Sequence, residues 1–241
     1  MFTSQGPGLR ELAVQALSSV ERGYDLLAPK FDQTPFRTPD RMLDAVEEAL
    51  AQREGSFGSG LDLCCGTGAA LPMLRRLCRE RVTGVDLSAG MLAEAERAHP
   101  EGVDLVRADA LALPHALDGT YDLAVSFGAF GHFLPAERPA LFSGVHRALR
   151  PGGVFAFPVG APLPLSSPVW WAVAGFDAAM RVRNAVWRPP FVMYYRTFPF
   201  GPVTADLRAA GFTVETTPLT PFGHRPDGTP QWRLLLARKA A

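Results

Sequence analysis

The sequence predicts an α/β protein with a doubly wound, mostly parallel sheet, a helical segment before it and a cap after its fifth strand. Between Leu61 and Phe157, short apolar segments alternate with helical ones, which is typical of a parallel sheet. A glycine-rich turn at residues 64–68 follows the first apolar segment. The composition, with 47% hydrophobic and 20% charged residues, is that of a globular protein. A chain of 241 residues can hold one domain with a cap or two small domains, and we expect the first.

Residues 1–54 are predicted to form an N-terminal helical lid. Leu12, Val14, Leu17 and Val20 have helical spacing, which predicts one helix from Leu9 to Leu27. A second helix opens after Pro39, with apolar residues at Met42, Leu43, Val46 and Leu50. The glycines of residues 55–60 are expected to end it in a loop.

Residues 55–157 are predicted to form the sheet-bearing core. We expect strands near residues 61–64, 82–86, 103–107, 121–127 and 153–157, with helices after the first, second and fourth.

The last third divides into a cap at residues 158–200 and a C-terminal part at residues 201–241 that completes the sheet. The cap is rich in aromatic residues and prolines, and we expect few regular elements in it. Five prolines also exclude a membrane span in the uncharged stretch from Pro151 to Phe176. A helix at residues 203–210 and strands at residues 212–215 and 231–237 follow.

Charge and cysteine content narrow the functional classes. The 24 Lys and Arg residues balance the 24 Asp and Glu residues, so the chain has no net charge that would attract nucleic acid or acidic membranes. A small-molecule partner is therefore expected. Cys64, Cys65 and Cys78 lack the spacing of a zinc site, so we expect reduced thiols and no metal. The first residues show no secretory pattern, and a cytoplasmic location is expected. The oligomeric state is left open.

The glycine-rich turn is the first candidate site. A turn between a strand and a helix N-terminus presents unpaired backbone N–H groups, which suit an anion or a carboxylate. The G-x-G-x-x-G motif of nicotinamide-dinucleotide sites would require glycine at position 71, but this residue is Leu71. A dinucleotide site is therefore disfavoured.

Acidic residues follow three consecutive predicted strands. Asp62 lies at the end of the first, Asp86 eighteen residues after Gly68, and Asp109 after the third. The carboxyl ends of parallel strands meet in the crevice where doubly wound sheets bind ligands, and Asp86 is in the register of a ribose-binding carboxylate.

In these motifs the sequence resembles the class I S-adenosylmethionine-dependent methyltransferases, in particular the small-molecule group with the ubiquinone and menaquinone enzymes. Asp62, Gly66 and Gly68 match the D-x-G-x-G-x-G motif, with Cys64 where the first glycine usually stands. Further matches are the V-D-L-S-x-x-M-L pattern at residues 85–92, Asp109, residues 121–127, the L-R-P-G-G segment at residues 149–153 and the Y-D-x-x-A lead-in at residues 24–32.

The resemblance implies a Rossmann-like, seven-stranded sheet with its antiparallel last strand beside strand five. It implies S-adenosyl-L-methionine as cofactor, converted to S-adenosyl-L-homocysteine, with the methionine end over residues 64–68 and the ribose on Asp86. The adenine would lie between Leu87 and Ala110, near Asp109, and Met91 and Phe127 complete the expected contacts. We expect the turn to tolerate Cys64, although glycine there would allow positive φ.

The acceptor side is predicted from aromatic residues and one histidine. His132, on the loop after strand four, is the candidate general base; the alternative is a structural histidine bonded to backbone. Candidate substrate contacts are Tyr24, Phe31, Trp170, Trp171, Arg181, Tyr194 and Tyr195. These aromatic residues also fit the core of a cap, and its excess of arginines fits either an anionic substrate group or a solvated helix face.

Two functional hypotheses follow. The first is methyl transfer to a small, largely apolar or aromatic metabolite, with an oxygen, nitrogen or carbon acceptor. The alternative is an S-adenosylmethionine-binding sensor or partner protein without catalysis. Methylation of nucleic acid or protein is disfavoured because Ser126-Phe127-Gly128-Ala129 replaces the Asn/Asp-Pro-Pro-Tyr/Phe motif.

Overall fold

A seven-stranded sheet with the order β3-β2-β1-β4-β5-β7-β6 forms the centre of the computed structural model, which describes residues 6–196 and 198–241, with backbone only for Leu9 and Ala16. The first five strands pair in parallel, and β7 lies antiparallel between β5 and β6. The Rossmann-like sheet with an antiparallel last strand is therefore confirmed. The strands are β1 (Phe57–Leu63), β2 (Cys78–Asp86), β3 (Asp104–Arg107), β4 (Tyr121–Val125), β5 (Leu149–Gly160), β6 (Phe212–Pro218) and β7 (Trp232–Lys239).

Eight α-helices are present in the described residues. They are α1 (Leu9–Leu17), α2 (Val20–Leu27), α3 (Asp40–Glu54), α4 (Leu71–Leu77), α5 (Ala89–Ala98), α6 (Arg138–Ala148), α7 (Pro168–Val186) and α8 (Phe200–Ala209). The expected helices after β1, β2 and β4 are confirmed. Among these helices, none is long and apolar enough to cross a membrane.

Apolar side chains point alternately to the two faces of the sheet, and helices pack against them on both faces. Val154 and Ala156 of β5 belong to the core shared with α3 and α4. Phe155 and Phe157 point the other way, into the core shared with α6 and α8. This alternation is the side-chain period of two along a strand, and it produces the three layers.

The expectation of one helix from Leu9 to Leu27 was wrong. The backbone at Ser18 is extended, and the Ser19 hydroxyl accepts a hydrogen bond from the Arg22 backbone N–H, which starts a new helix. Serine is a favoured N-cap residue, and this local bond competes with continuing the helix.

The expected loop at residues 55–60 was also too long, because β1 begins at Phe57. Glycine at position 60 allows helix α4 and β2 to approach the strand closely: a Cβ there would lie 2.6 Å from Cys78 Sγ and 3.2 Å from Leu74 Cδ2. These strand glycines serve packing rather than a turn.

The cap contains a 19-residue helix, α7, where few regular elements were expected. Pro168 is its first residue, where a missing N–H costs no helical hydrogen bond, and the Ser167 hydroxyl caps the helix by accepting from Val169 N. The other prolines of the cap lie before or after the helix.

Candidate active site

A cleft of about 1460 Å³ opens at the carboxyl ends of β1 to β5. Its walls include residues at or just after the carboxyl ends of these strands, among them Cys64, Leu87, Ala108, Phe127 and Gly160. Pockets for one drug-sized ligand usually measure about 300–1,000 Å³. The cleft therefore has room for two ligands side by side.

The glycine-rich turn forms the floor of the cleft at the end of β1. Cys64 has φ 60°, Gly66 φ 54° and Gly68 φ 86°, so three positions of the turn are left-handed. Cys64 is the one non-glycine residue with positive φ in the described part of the chain. Burial raises the pKa of its thiol, which keeps it protonated and a poor nucleophile.

Asp86 ties the end of β2 to this turn. Its Oδ2 accepts a hydrogen bond from Gly66 N at 2.9 Å, and its Oδ1 accepts one from Ser88 N at 2.9 Å. Burial raises the pKa of the Asp86 carboxyl, and these backbone donors oppose the rise. A carboxylate offers about four acceptor directions, so the group can receive further hydroxyl donors from a ligand.

Asp62 and Asp109 lie on the same cleft wall. Asp62 is 2% exposed, and its burial, reinforced by the nearby charge of Asp86, raises its pKa well above the usual value. Asp109 Oδ1 accepts from Leu111 N at 2.9 Å, which caps the short helical turn at Ala110–Ala112. A cationic ligand group beside Asp62 would favour its ionised form.

The N-terminal segment folds over the cleft and is hydrogen-bonded to two loops, the one after β2 and the glycine-rich turn after β1. Asp25 Oδ1 accepts from Ser88 Oγ at 2.6 Å and from Gly90 N at 2.9 Å, at the start of α5. Asp32 Oδ1 accepts from Thr67 Oγ1 at 2.6 Å, within the glycine-rich turn. Sequence reasoning did not assign these roles, although both acids belong to the lead-in at residues 24–32.

His132 joins three segments of the chain above the cleft. Its Nδ1 lies 2.6 Å from the Val192 carbonyl oxygen of the cap, and its Nε2 lies 2.7 Å from the Tyr24 hydroxyl of α2. Because a carbonyl only accepts, Nδ1 carries the proton and Nε2 accepts from Tyr24. Burial lowers the pKa of His132 and raises that of Tyr24, so both groups are neutral near pH 7.

The cleft brings together most of the predicted site residues. The cofactor candidates on its walls are Asp62, Cys64, Gly66, Asp86, Leu87, Met91, Asp109, Ala110 and Phe127, and the acceptor-side candidates are Tyr24, Phe31, His132, Trp170, Tyr194 and Tyr195. Phe36, which the sequence also predicts above the acceptor, lines the cleft, and further aromatic and cationic wall residues outside the predicted contacts are Phe130, Arg196, Phe198 and Trp232. They come from distant segments, and no local motif marks them.

Three predicted site residues do not line the cleft. Trp171 is 63% exposed on the outside of the cap, where its Nε1 donates to the Leu165 carbonyl at 3.0 Å. Arg181 is exposed, and its guanidinium lies 4.6 Å from the centre of the Tyr194 ring, off the cleft wall. Gly68 shapes the turn from behind, since a Cβ there would meet Leu71 and His99.

No cluster of three or more His, Cys, Asp or Glu residues in the described ranges has the arrangement of a metal site. The three thiols are free.

Comparisons with known proteins agree with this geometry. Residues 61–153 match a family model described as a methyltransferase domain. An uncharacterized methyltransferase of Synechocystis sp. is 38% identical over 96 residues, which are 40% of this chain and 44% of that protein. The 2-phytyl-1,4-naphtoquinone methyltransferase of Thermosynechococcus vestitus is 34% identical over 145 residues, 57% of this chain and 62% of the relative. The aligned segments thus span less than two thirds of these relatives.

A solved structure shows the same fold over nearly the whole chain. It is the 1,6-didemethyltoxoflavin-N1-methyltransferase of Burkholderia thailandensis with bound 1,6-didemethyltoxoflavin and S-adenosylhomocysteine. The two share a TM-score of 0.62 at 20% identity, covering 98% of this chain and 92% of that one. With the strand order, the glycine-rich turn and the acid after β2, these matches show that residues 61–153 form a methyltransferase domain and that the chain has the Rossmann-like fold of a solved methyltransferase with bound S-adenosylhomocysteine.

Proposed function

We propose that this protein transfers a methyl group from S-adenosylmethionine to a small, largely apolar or aromatic metabolite. The observation that carries the proposal is one cleft with two chemically different ends. Hydrogen-bonding groups of the turn and Asp86 line one end, and aromatic rings from the cap and the β4 loop line the other. The naphtoquinone methyltransferase among the relatives acts, by its name, on an acceptor of this chemical class.

The donor set of the cleft fits this cofactor. The spare acceptor directions of Asp86 suit the two ribose hydroxyls, and such charge-assisted bonds contribute about 1.5–3 kcal/mol. Asp62 is a buried carboxyl on the wall of the same cleft, which suits a positively charged group of the methionine end. Leu87 and Ala110 supply apolar wall for the adenine, with Asp109 beside them.

When bound, S-adenosylmethionine supplies a methyl group on a sulfonium sulfur, and displacement by the acceptor atom leaves S-adenosylhomocysteine. The protein's part is then to align two ligands and exclude water. The N-terminal segment serves both ends, since Asp25 and Asp32 bond to the cofactor loops while Tyr24 and Phe31 face the cleft.

For His132 the structure favours a positioning role over that of general base. Its Nε2 lone pair is occupied by the Tyr24 hydroxyl, and its burial disfavours the imidazolium that a base would become. We propose that His132 holds Tyr24 and the Val192 carbonyl in place, and thereby closes the lid and the cap over the acceptor.

The paired variants His132→Asn and His132→Ala separate these roles. For positioning, we expect Asn to retain most of the turnover, Ala to raise the KM for the acceptor, and the rate to be flat around neutral pH. For a base, both variants would lose about 10²–10⁴-fold in kcat, and the wild-type rate would fall as the pH drops through the His132 pKa. That second result would overturn the positioning role.

The function itself is tested by measuring S-adenosylhomocysteine formation with a panel of quinones, phenols and aromatic amines. The control is the Asp86→Ala variant, which should show little product at the same cofactor concentration. Tight binding of S-adenosylmethionine without product from any acceptor would favour the sensor hypothesis and contradict the proposed activity.

A further inference from the structure

Helix α7 carries several of its large apolar side chains outward. Trp171, Val182 and Val186 are 63%, 65% and 79% exposed, and they lie on one stripe of the helix. The exposed residues of this stripe, which we call the outer face of α7, are Pro168, Trp171, Ala172, Gly175, Ala178, Ala179, Val182, Ala185 and Val186. None of them is charged or polar, whereas the outward stripe of a helix on a globular protein usually is.

Two polar residues of α7, Asp177 and Asn184, point inward and fix this orientation. Asp177 is 2% exposed and accepts from Tyr195 N at 2.8 Å and from Arg196 Nε at 3.2 Å. Asn184 donates to the Phe191 carbonyl at 3.0 Å and accepts from Phe191 N at 2.9 Å. Rotating the helix to bury its outer face would leave these groups without partners, at a cost for each.

Further apolar side chains extend the outer face at both ends. Leu165 and Val169 are 67% and 55% exposed before or at the start of α7, and Trp187 is 50% exposed just after it. Tryptophan at the borders of an exposed apolar surface is typical of contact with the interfacial layer of a membrane. Contiguous exposed apolar surface of this kind marks an interaction site.

The exposed charged residues of the segment that carries the outer face are all basic. Within residues 161–201 the only acid is Asp177, which is buried against Arg196. Arg181 and Arg188 are exposed on α7 and directly after it. The whole chain is neutral, but this surface is locally positive and attracts an anionic surface within the short range that salt permits.

The same helix also borders the cleft. Trp170 and Val173, on its inner side, line the acceptor end, and Pro162 and Leu163 continue that wall. If the protein methylates an apolar acceptor as proposed above, a surface bound to the outer face would thus lie next to the entrance for that acceptor.

We propose that the outer face of α7 binds the surface of an anionic lipid bilayer, with the helix lying in the interface. Lipid fits better than a second copy of the chain, because the bilayer supplies both apolar depth and the negative charge that this surface lacks. Whole-chain neutrality argued against acidic membranes, but it averages over this positive patch.

The test is sedimentation of the full chain with vesicles of phosphatidylcholine alone or with a third of phosphatidylglycerol. We expect binding to the anionic vesicles, weakened several-fold by 0.5 M salt, and a blue shift of tryptophan emission. The double variant Val182→Glu/Val186→Glu should lower the partition coefficient at least tenfold. Leu17→Glu, at a residue 48% exposed on α1, is the matched control and should bind like the wild type.

Melting curves and S-adenosylmethionine binding, which should be unchanged in all variants, separate loss of docking from loss of folding. Absence of wild-type binding to anionic vesicles would overturn the proposal, as would unchanged binding by the double variant. A dimer in sedimentation equilibrium that the double variant dissolves would assign the face to a second copy and also overturn it. None of these readouts requires turnover, so they stand apart from the test of the methyltransferase activity.

Discussion

Cys64 occupies a left-handed backbone position at the centre of the glycine-rich turn, and its replacement gives a sharp test of the site geometry. With φ 60°, a residue carrying Cβ pays about 1–2 kcal/mol relative to ordinary backbone. Glycine escapes this strain but loses about 0.5–1 kcal/mol more conformational entropy on folding than alanine. At a position with ordinary φ, alanine gives a more stable protein than glycine. At position 64, where φ is positive, glycine should give the more stable protein.

We therefore expect Cys64→Gly to be more stable than Cys64→Ala by about 0.5–1 kcal/mol, the difference of those two contributions. Both variants lose the thiol, so its packing cancels in the comparison. For a chain of this size, 1 kcal/mol corresponds to roughly 2–4 °C in the melting temperature, which calorimetry resolves. Cofactor affinity of the glycine variant, measured by titration, should equal or exceed that of the wild type.

An alanine variant as stable as the glycine variant, or more so, would refute the left-handed assignment at position 64. The backbone of the glycine-rich turn would then have a different conformation from the one described.

Three other predictions concern the cofactor end and the lid. Asp86→Ala should weaken S-adenosylmethionine binding 10- to 100-fold in calorimetric titration, which corresponds to about 1.5–3 kcal/mol. It should also lower the melting temperature, because Gly66 N and Ser88 N lose their hydrogen-bond acceptor. Equal cofactor affinities of variant and wild type would contradict the assignment of Asp86 to the ribose. Because the folded-state pKa values of Asp62 and Asp86 are raised, the unliganded protein should gain stability as the pH falls through these values, while its affinity for the cofactor falls. Asp62→Asn should make both stability and cofactor affinity depend less on pH. If the variant and the wild type show the same pH dependence, this linkage is contradicted. In hydrogen exchange, residues 20–36 and 158–200 should exchange faster than β4 in the free protein, and their exchange should slow when S-adenosylhomocysteine is added. Tyr24→Phe should speed exchange in both segments. Exchange as slow as that of β4 in the free protein would contradict their role as a lid.

The sequence predicts best those features that neighbouring residues determine. The order of strands and helices in the core follows from apolar periodicity. The positions of Asp62, Asp86 and Asp109 in the cleft follow from the geometry of parallel strands, which brings their carboxyl ends to one edge. The position of β7 between β5 and β6 does not follow from its own residues, and only the resemblance implied that it lies beside β5.

The errors come from tertiary context. Trp170 and Trp171 are adjacent in sequence, but consecutive residues of a helix point about 100° apart, so one lines the cleft and the other faces outward. Proline content suggested an irregular cap, yet Pro168 is at the one helical position that tolerates it. Likewise, no local pattern reveals that the Tyr24 hydroxyl bonds His132, which is 108 positions away.

The antiparallel strand β7 has a consequence for the order of folding. It follows all other described strands in the chain, yet it sits between β5 and β6 and supplies the backbone partners of both. Until residues 232–239 emerge from the ribosome, β5 presents an open apolar edge and β6 has no neighbour in the sheet. Such exposed edges and long-range pairings slow folding and favour aggregation. Nascent chains that stop short of β7 are therefore expected to depend on chaperones, and completion of this strand is expected to commit the molecule to its native sheet.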